Sequence, residues 1–180
     1  LDAVAVTAGP GLAGCLLVGL QAAKALAWSL EVPLVPVDHI EAHIQAIHLR
    51  DEEASGASDL VAPFVALAVS GGHTSLYRVG GPGQLEVIGP TRDDAAGEAF
   101  DKSAKRCGLP YPGGVHIDRL ARSGDPDSHD FPRPLLHKGD DFSFSGLKTA
   151  VRYALAARED DPANGPLEGA DLADMAASVQ

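Results

Sequence analysis

The first fifty residues alternate strand-like and helix-like patterns, and this restricts the possible folds more than anything else in the chain. An apolar run from Leu1 to Thr7 leads into the turn Ala8-Gly9-Pro10-Gly11-Leu12-Ala13-Gly14 and then a long Ala/Leu helix to about Leu30. Pro33 closes that helix, Leu34-Val35-Pro36-Val37 makes a short buried strand, and a second helix runs from about His39 to Leu49. Strand–helix–strand units lay parallel strands side by side under covering helices, so a parallel sheet is expected. The pattern then switches. Pro63 to Val69 is a continuous apolar strand, Ser70-Gly71-Gly72-His73 is a hairpin turn, and Thr74 to Val79 is the returning strand. A third strand from about Leu85 to Gly89 extends the meander. Adjacent strands following βα units predict an α/β protein with mixed sheets flanked by helices.

Beyond the meander, Ala96, Phe100, Ala104 and Cys107 give the segment Asp93 to Cys107 a helical apolar face. Tyr111-Pro112-Gly113-Gly114 breaks it, and a short helix follows from Val115 to Arg122. Residues 123 to 143 are rich in Gly, Pro, Asp and His and read as a long irregular loop. Ser145 caps a further helix, on which Leu147, Ala150, Val151, Ala154 and Leu155 share a face. Residues 159 to 166 read as a polar linker. The chain starts directly on a strand at Leu1 and stops at Gln180 inside a helical pattern, so a piece of a longer protein is expected.

The net charge is −11, from 14 bases against 25 acids, which disfavours a generic nucleic-acid binder. Asp51-Glu52-Glu53 and the six carboxylates between Glu159 and Asp174 read as solvated surface. Arg92 to Arg106 is balanced, so overall acidity does not exclude a local RNA site. The two cysteines, Cys15 and Cys107, sit in apolar helical patterns and read as buried thiols of a reducing compartment. The run from Gly11 to Leu30 holds Gln21, Lys24 and several glycines and reads as a buried helix, not a membrane span.

His39-Ile40-Glu41-Ala42-His43 is the sharpest local signal. Histidines four apart lie on one helix face, about 6 Å apart along the axis, and can chelate one metal. Neutral imidazoles suit zinc or iron. Zincin chemistry needs Glu where Ile40 stands, so that class is set aside. Spacing alone leaves a metal site and a plain pair of surface histidines level. Asp38 and Glu41 point to other faces, and no third ligand is assigned.

Val69-Ser70-Gly71-Gly72-His73-Thr74 is the second signal: a glycine pair lets backbone N–H groups approach a phosphate or carboxylate, or simply makes a hairpin. No Walker lysine follows it. Gly9 to Gly14 is read as tight strand–helix packing. Asp94, Glu98 and Asp101 fall on one side of their helix, either as a solvated face or as hydroxyl-binding carboxylates. Asp101 is favoured among them for its proximity to Gly113-Gly114, with Asp118 able to reach the same ligand. Ser143 to Thr149 opens a helix whose free N–H groups, with Lys148, can hold an anion, although simple capping is preferred.

Six segments together resemble the TsaD-type tRNA threonylcarbamoyladenosine synthases, once called O-sialoglycoprotein endopeptidases. They are TAGPGL (Thr7 to Leu12), DHIEAH (Asp38 to His43), VSGGHT (Val69 to Thr74), DDAAGEAFDK (Asp93 to Lys102), YPGG (Tyr111 to Gly114) and FSFSGLKT (Phe142 to Thr149). They occur in the family's order and cover nearly the whole chain.

The resemblance implies an actin-like ATPase (sugar kinase/Hsp70-type) fold, incomplete at both ends. Residues 1–62 would be the rest of a first subdomain carrying the metal-site helix, and 63–180 the start of a second. It implies a cytoplasmic acyltransferase that moves threonylcarbamoyl from threonylcarbamoyl-AMP to N6 of adenosine 37 in tRNAs reading codons that begin with A. His39 and His43 would then be metal ligands, with iron(II) favoured and zinc(II) the alternative. Ala68, Val69, Ser70, Gly71, Gly72, Asp101, Gly114 and Asp118 would contact the adenylate. TsaB-type and TsaE-type proteins would be partners, with no membrane involved. Two family segments have no match here: a leading phosphate hairpin, and a downstream glycine segment with a metal-binding Asp. The chain by itself is therefore expected to be inactive. The competitors are a metallopeptidase, weakened by the missing HExxH, a non-catalytic scaffold of the same fold, against which the histidine pair argues, and a small-molecule kinase of that fold, for which no phosphoacceptor-base signature is seen.

Overall fold

The computed structural model describes residues 1–49, 60–161 and 165–180. The acidic triplet Asp51-Glu52-Glu53 and residues 162–164 of the expected linker lie outside the described residues. Two compact units emerge: Leu1–Ala68 with Arg78–Glu86, and Val69–Tyr77 with Val87–Gln180.

The first unit opens with strand β1 (Val4–Gly9), helix α1 (Ala13–Leu30), strand β2 (Leu34–Asp38) and helix α2 (His39–Gln45), followed by a 3-10 turn at Ala46–His48. β1 and β2 pair in parallel from Val4↔Leu34 to Gly9↔Asp38, with a register shift between Thr7 and Gly9. That is the pairing expected of a βαβ unit, whose helical crossover alone can bring two strands side by side in the same direction. α1 ends at Glu31, whose left-handed φ of 54° lets its N–H reach the Ala27 and Trp28 carbonyls.

The expectation of a buried α1 fails over most of its surface. α1 packs against β1 and β2, but among its residues only Ala23 and Ala27 are buried, while Val18 and Trp28 are 73% and 87% exposed. By length and composition it is the one helix among the described residues that is apolar enough to cross a membrane. The second helix is also shorter than expected, because the turn at Ala46–His48 tightens to 3-10 geometry.

A second sheet has the order β3-β4-β5, from Phe64–Val69, Thr74–Gly81 and Gln84–Pro90. The short connections of this meander suit antiparallel neighbours only. Among the described residues the parallel pair and the meander are thus separate sheets.

The rest of the second unit is helical: α3 (Ala96–Arg106), α4 (Gly113–Ala121), α5 (Ser145–Glu159) and α6 (Gly169–Val179). Their apolar faces meet in a core of Ala104, Ile117, Phe131, Val151, Met175, Ala176 and Val179. α3 starts at Ala96, three residues later than its apolar spacing suggests, so Asp94 precedes the helix, although its carboxylate and that of Glu98 both meet the Lys102 ammonium. The glycine pair 113–114 forms the first turn of α4 rather than a break before it. Two of the acids read as solvated surface also make contacts there: Asp174 Oδ1 accepts the Asp125 N–H at 2.8 Å, and the exposed Asp171 pairs with Arg158.

Candidate functional site

In the first unit the site begins with a helix cap. Asp38 Oδ1 accepts the N–H groups of Ile40 (2.8 Å) and Glu41 (3.0 Å), fixing where α2 starts. Ile40 and Ile44 are buried, and the adjoining face carries the histidines. His39 is half-buried and His43 exposed. Their ring centroids lie 4.5 Å apart at 75°, close enough for two nitrogens to converge on one ion at bond lengths of about 2.0–2.1 Å. Asp38 Oδ1 is taken up by the cap, and Glu41 Oε1 accepts the Gly83 N–H at 3.0 Å. Among the described residues no group of three potential ligands forms. The two imidazoles can supply two ligands to one ion, and among the described residues no third stands beside them.

In the second unit the glycine hairpin is closed by its own serine. Ser70 N–H donates to the His73 carbonyl at 2.8 Å, while Ser70 Oγ accepts from Gly72 N–H (3.3 Å) and His73 N–H (3.0 Å). Two of the amides that the sequence offered to an anion are thus occupied within the turn. The hairpin rests on the start of α3: Gly97 N–H donates to the Ser70 carbonyl, and Ala96 N–H to the buried Thr74 Oγ1. A Cβ on Gly97 would stand 2.7 Å from the Ser70 carbonyl oxygen and 2.8 Å from Gly71 Cα, which explains glycine there.

The paired aspartates before α3 reach across fifty residues to α5. Asp93 accepts from Ser143 Oγ (2.6 Å), Phe144 N–H (2.7 Å), Ser145 N–H (3.2 Å) and Ser145 Oγ (2.7 Å). The cap of α5 is therefore Asp93, not Ser145, which is already inside the helix. Capping, preferred over an external anion for this helix end, is thus what the structure shows, with the chain's own carboxylate as the cap. Desolvation pushes the Asp93 pKa up, but the hydrogen bonds from Ser143, Phe144 and Ser145 outweigh it and bring the carboxyl down to about 2. Asp94 bridges Lys148 and Lys102, and those two partners lower its pKa. Lys102 also pairs with Glu98 at 2.7 Å, and Glu98, then Asp94, hold its ammonium well above the usual lysine range.

Asp101 does for α4 what Asp93 does for α5. Its Oδ1 accepts Gly113 N–H at 2.7 Å and Gly114 N–H at 3.4 Å. A Cβ on Gly113 would overlap Ala104 Cβ and lie 3.0 Å from Asp101 Cα, so the close approach of α3 and α4 depends on that glycine. Gly71, Glu98, Asp101, Lys102, Lys105 and Tyr111 border a cavity of about 490 Å³ with Leu109 and Pro110. The structure thus brings Gly71 and Asp101 to one cavity, with the Gly114 amide bound to Asp101. Ala68 and Val69 end the strand leading into the hairpin. Asp118 lies along α4 and does not border the cavity; its carboxylate meets Arg122 at 2.7 Å and Gln180 at 3.4 Å, and those contacts lower its pKa. Sequence reasoning missed Lys102, Lys105 and Tyr111 as cavity residues, although Lys102 belongs to the DDAAGEAFDK segment and Tyr111 to YPGG. Burial pushes the Cys107 thiol up to about 11, which disfavours it as a nucleophile. Cys15, expected to be buried, is exposed because the start of α1 is uncovered.

With this geometry in view, comparison with known proteins gives a uniform result. The family model described as TsaD, tRNA N6-adenosine threonylcarbamoyltransferase, matches residues 1–180. Curated relatives carrying that same name include one from Geobacter sulfurreducens, 58% identical over the whole chain and 49% of the relative. Another from Geobacter metallireducens is 59% identical over the whole chain and 50% of its own length. One from Syntrophotalea carbinolica is 55% identical, again over all of this chain and 49% of the relative. The chain spans about half the length of the curated relatives it matches.

Proposed function

The chain belongs to the TsaD family of tRNA N6-adenosine threonylcarbamoyltransferases, and from that membership we propose that the full-length protein moves threonylcarbamoyl from threonylcarbamoyl-AMP to N6 of adenosine 37 in tRNA. The observation that carries the reading is the cavity in the second unit, where the glycine hairpin and the Asp101 carboxylate border one space. In this proposal the adenylate contacts are Ala68 to Gly72, Asp101 and Gly114, whereas Asp118, which pairs with Arg122 and does not border the cavity, is left out of them. The Gly71 backbone approaches the phosphate without a side chain in the way. Asp101 is oriented by the Gly113 and Gly114 amides, which leaves its second oxygen for a ribose hydroxyl. Lys102 and Lys105 on the cavity border favour a leaving phosphate electrostatically.

The donor is already activated as a mixed anhydride, so the task of these residues is to position it and to stabilise developing charge. No covalent acyl-enzyme is invoked, in keeping with a Cys107 held as a thiol. His39 and His43 would hold iron(II), or zinc(II), and a metal there supplies Lewis-acid polarisation. The proposed architecture is an actin-like fold, with residues 1–62 in one subdomain and 63–180 in the next. The proposed setting is the cytoplasm, with TsaB-type and TsaE-type partners and no membrane.

Incubating the full-length protein with threonylcarbamoyl-AMP and an unmodified tRNA transcript, followed by nucleoside mass spectrometry, tests this directly. The expected product is threonylcarbamoyladenosine. Peptide cleavage without tRNA modification would assign the protein to the metallopeptidase class instead.

A further inference from the structure

The acidity of the chain leaves open how it would meet a polyanion, and one surface of the second unit answers this. Lys102, Lys105 and Arg106 on α3 and Lys148, Thr149 and Arg152 on α5 border an open groove of about 730 Å³. Five of the chain's 14 bases gather there although the net charge is −11. Among the described residues only Asp94 and Glu98 answer them, through Lys102 and Lys148. Lys105, Arg106 and Arg152 are exposed and form no ion pair among the described residues. Bases gathered along one groove raise the local positive potential, which attracts an anion to it.

We infer that this α3–α5 groove is the docking surface for the phosphate backbone of the RNA substrate. The inference rests on the tRNA-modifying reading above and adds to it a place for the RNA. Three observations favour RNA over an acidic protein. The groove spans two helices, matching a run of phosphates more than one group. The Arg152 guanidinium lies over the ring of Tyr153, 4.8 Å from its centroid, and Tyr153, next to the groove though not on its border, is 62% exposed and leaves an aromatic beside the charge. Lys102 and Lys105 border both this groove and the cavity of the proposed adenylate site, so a backbone held here passes the place where the acyl group is presented. The arginines can bind phosphate oxygens through two N–H groups at once. The acidic remainder of the chain disfavours RNA elsewhere.

The test uses the full-length protein and the double variant Arg106→Glu/Arg152→Glu, since neither arginine borders the cavity. Binding of a tRNA transcript is measured between about 50 and 200 mM salt. The variant should bind about tenfold or more weakly at the lowest salt, with a log–log salt slope shallower by about two. Its affinity for AMP should be unchanged, and Arg106→Lys/Arg152→Lys should restore most of the RNA affinity. Should the charge reversal also abolish AMP binding, Arg106→Gln/Arg152→Gln takes its place and is read in the same way. Unchanged RNA affinity and slope, with tRNA modification intact in the parent protein, overturns the groove and spares the function. Absence of any RNA binding by the parent overturns both. Polyglutamate binding lost in the variant while RNA binding is unchanged would assign the groove to an acidic protein and overturn the inference.

Discussion

The histidine pair and the glycine–carboxylate cavity are held in shape by contacts of different reach. On α2 the orienting contacts are local: Asp38 caps amides two and three residues ahead, and the imidazoles sit one turn apart on the same helix. Around the cavity the contacts are distant. Asp101 holds amides 12 and 13 residues away, Thr74 receives one from 22 residues on, and Asp93 and Asp94 reach α5 across 50 to 54 residues. The first arrangement survives as long as one short helix forms. The second exists only when α3, α4, α5 and the hairpin have all docked. A local motif is therefore robust to distant changes, whereas a docked one carries both stability and site geometry in the same residues.

Substitutions can separate the two. The largest effect is expected for His39→Ala/His43→Ala in the full-length protein: loss of bound metal and a fall in tRNA modification of about a hundredfold or more, with urea stability nearly unchanged. Metal analysis beside nucleoside mass spectrometry checks it, and full metal content in the variant would remove the pair from the site. Next comes Gly113→Ala, which forces α3 and α4 apart at Ala104 and should cost about 2–4 kcal/mol. Gly97→Ala, which pushes against the hairpin backbone, should cost about 1–3 kcal/mol. Both are read by urea unfolding, and near-wild-type stability in either would mean that the docking is looser than the geometry indicates.

Asp93→Ala should cost about 1–2 kcal/mol through the lost cap of α5. Its pH dependence has a definite sign. A carboxyl at about 2 in the folded state against 3.8 unfolded stabilises fully above about pH 4, and that contribution fades as pH falls toward 2. Asp93 is exposed, so after screening the effect is on the order of 1 kcal/mol. Unfolding measured from pH 5 to about 2 should show this fading in the parent and not in the variant; parallel profiles would sink the assignment. The smallest effect belongs to Asp38→Ala, which should cost about 1 kcal/mol or less and act within α2 alone. Hydrogen exchange should quicken at Ile40 and Glu41 and remain slow at the amides of Gly113 and Ser145; spreading to those amides would contradict a purely local cap.

Much of the fold was legible because periodicity and turn chemistry are local. The parallel β1–β2 pair, the meander and α5 follow from runs of apolar residues and from where Gly and Pro fall. Helix starts were less so. Ser145 has the side chain of a cap, yet the capping oxygen comes from Asp93, and Gly113-Gly114, which suggests a break, forms the first turn of α4 because Asp101 satisfies its amides. Burial was misread along α1 and at Cys15 for a related reason: an apolar pattern states what a helix face prefers to meet, not what stands opposite it.

The sequence by itself determined the α/β character, the histidine spacing on α2, the glycine hairpin and the family to which the chain belongs, since each depends on residues near one another or on their order. Only the tertiary structure decided that Asp93 and Asp94 clasp α5, that Asp101 anchors α4 beside the cavity, and that the bases of α3 and α5 converge on one groove. Those pairings join side chains far apart in sequence, and their partners are chosen by how the helices pack around Ala104, Ile117 and Val151. No short window of residues contains that information.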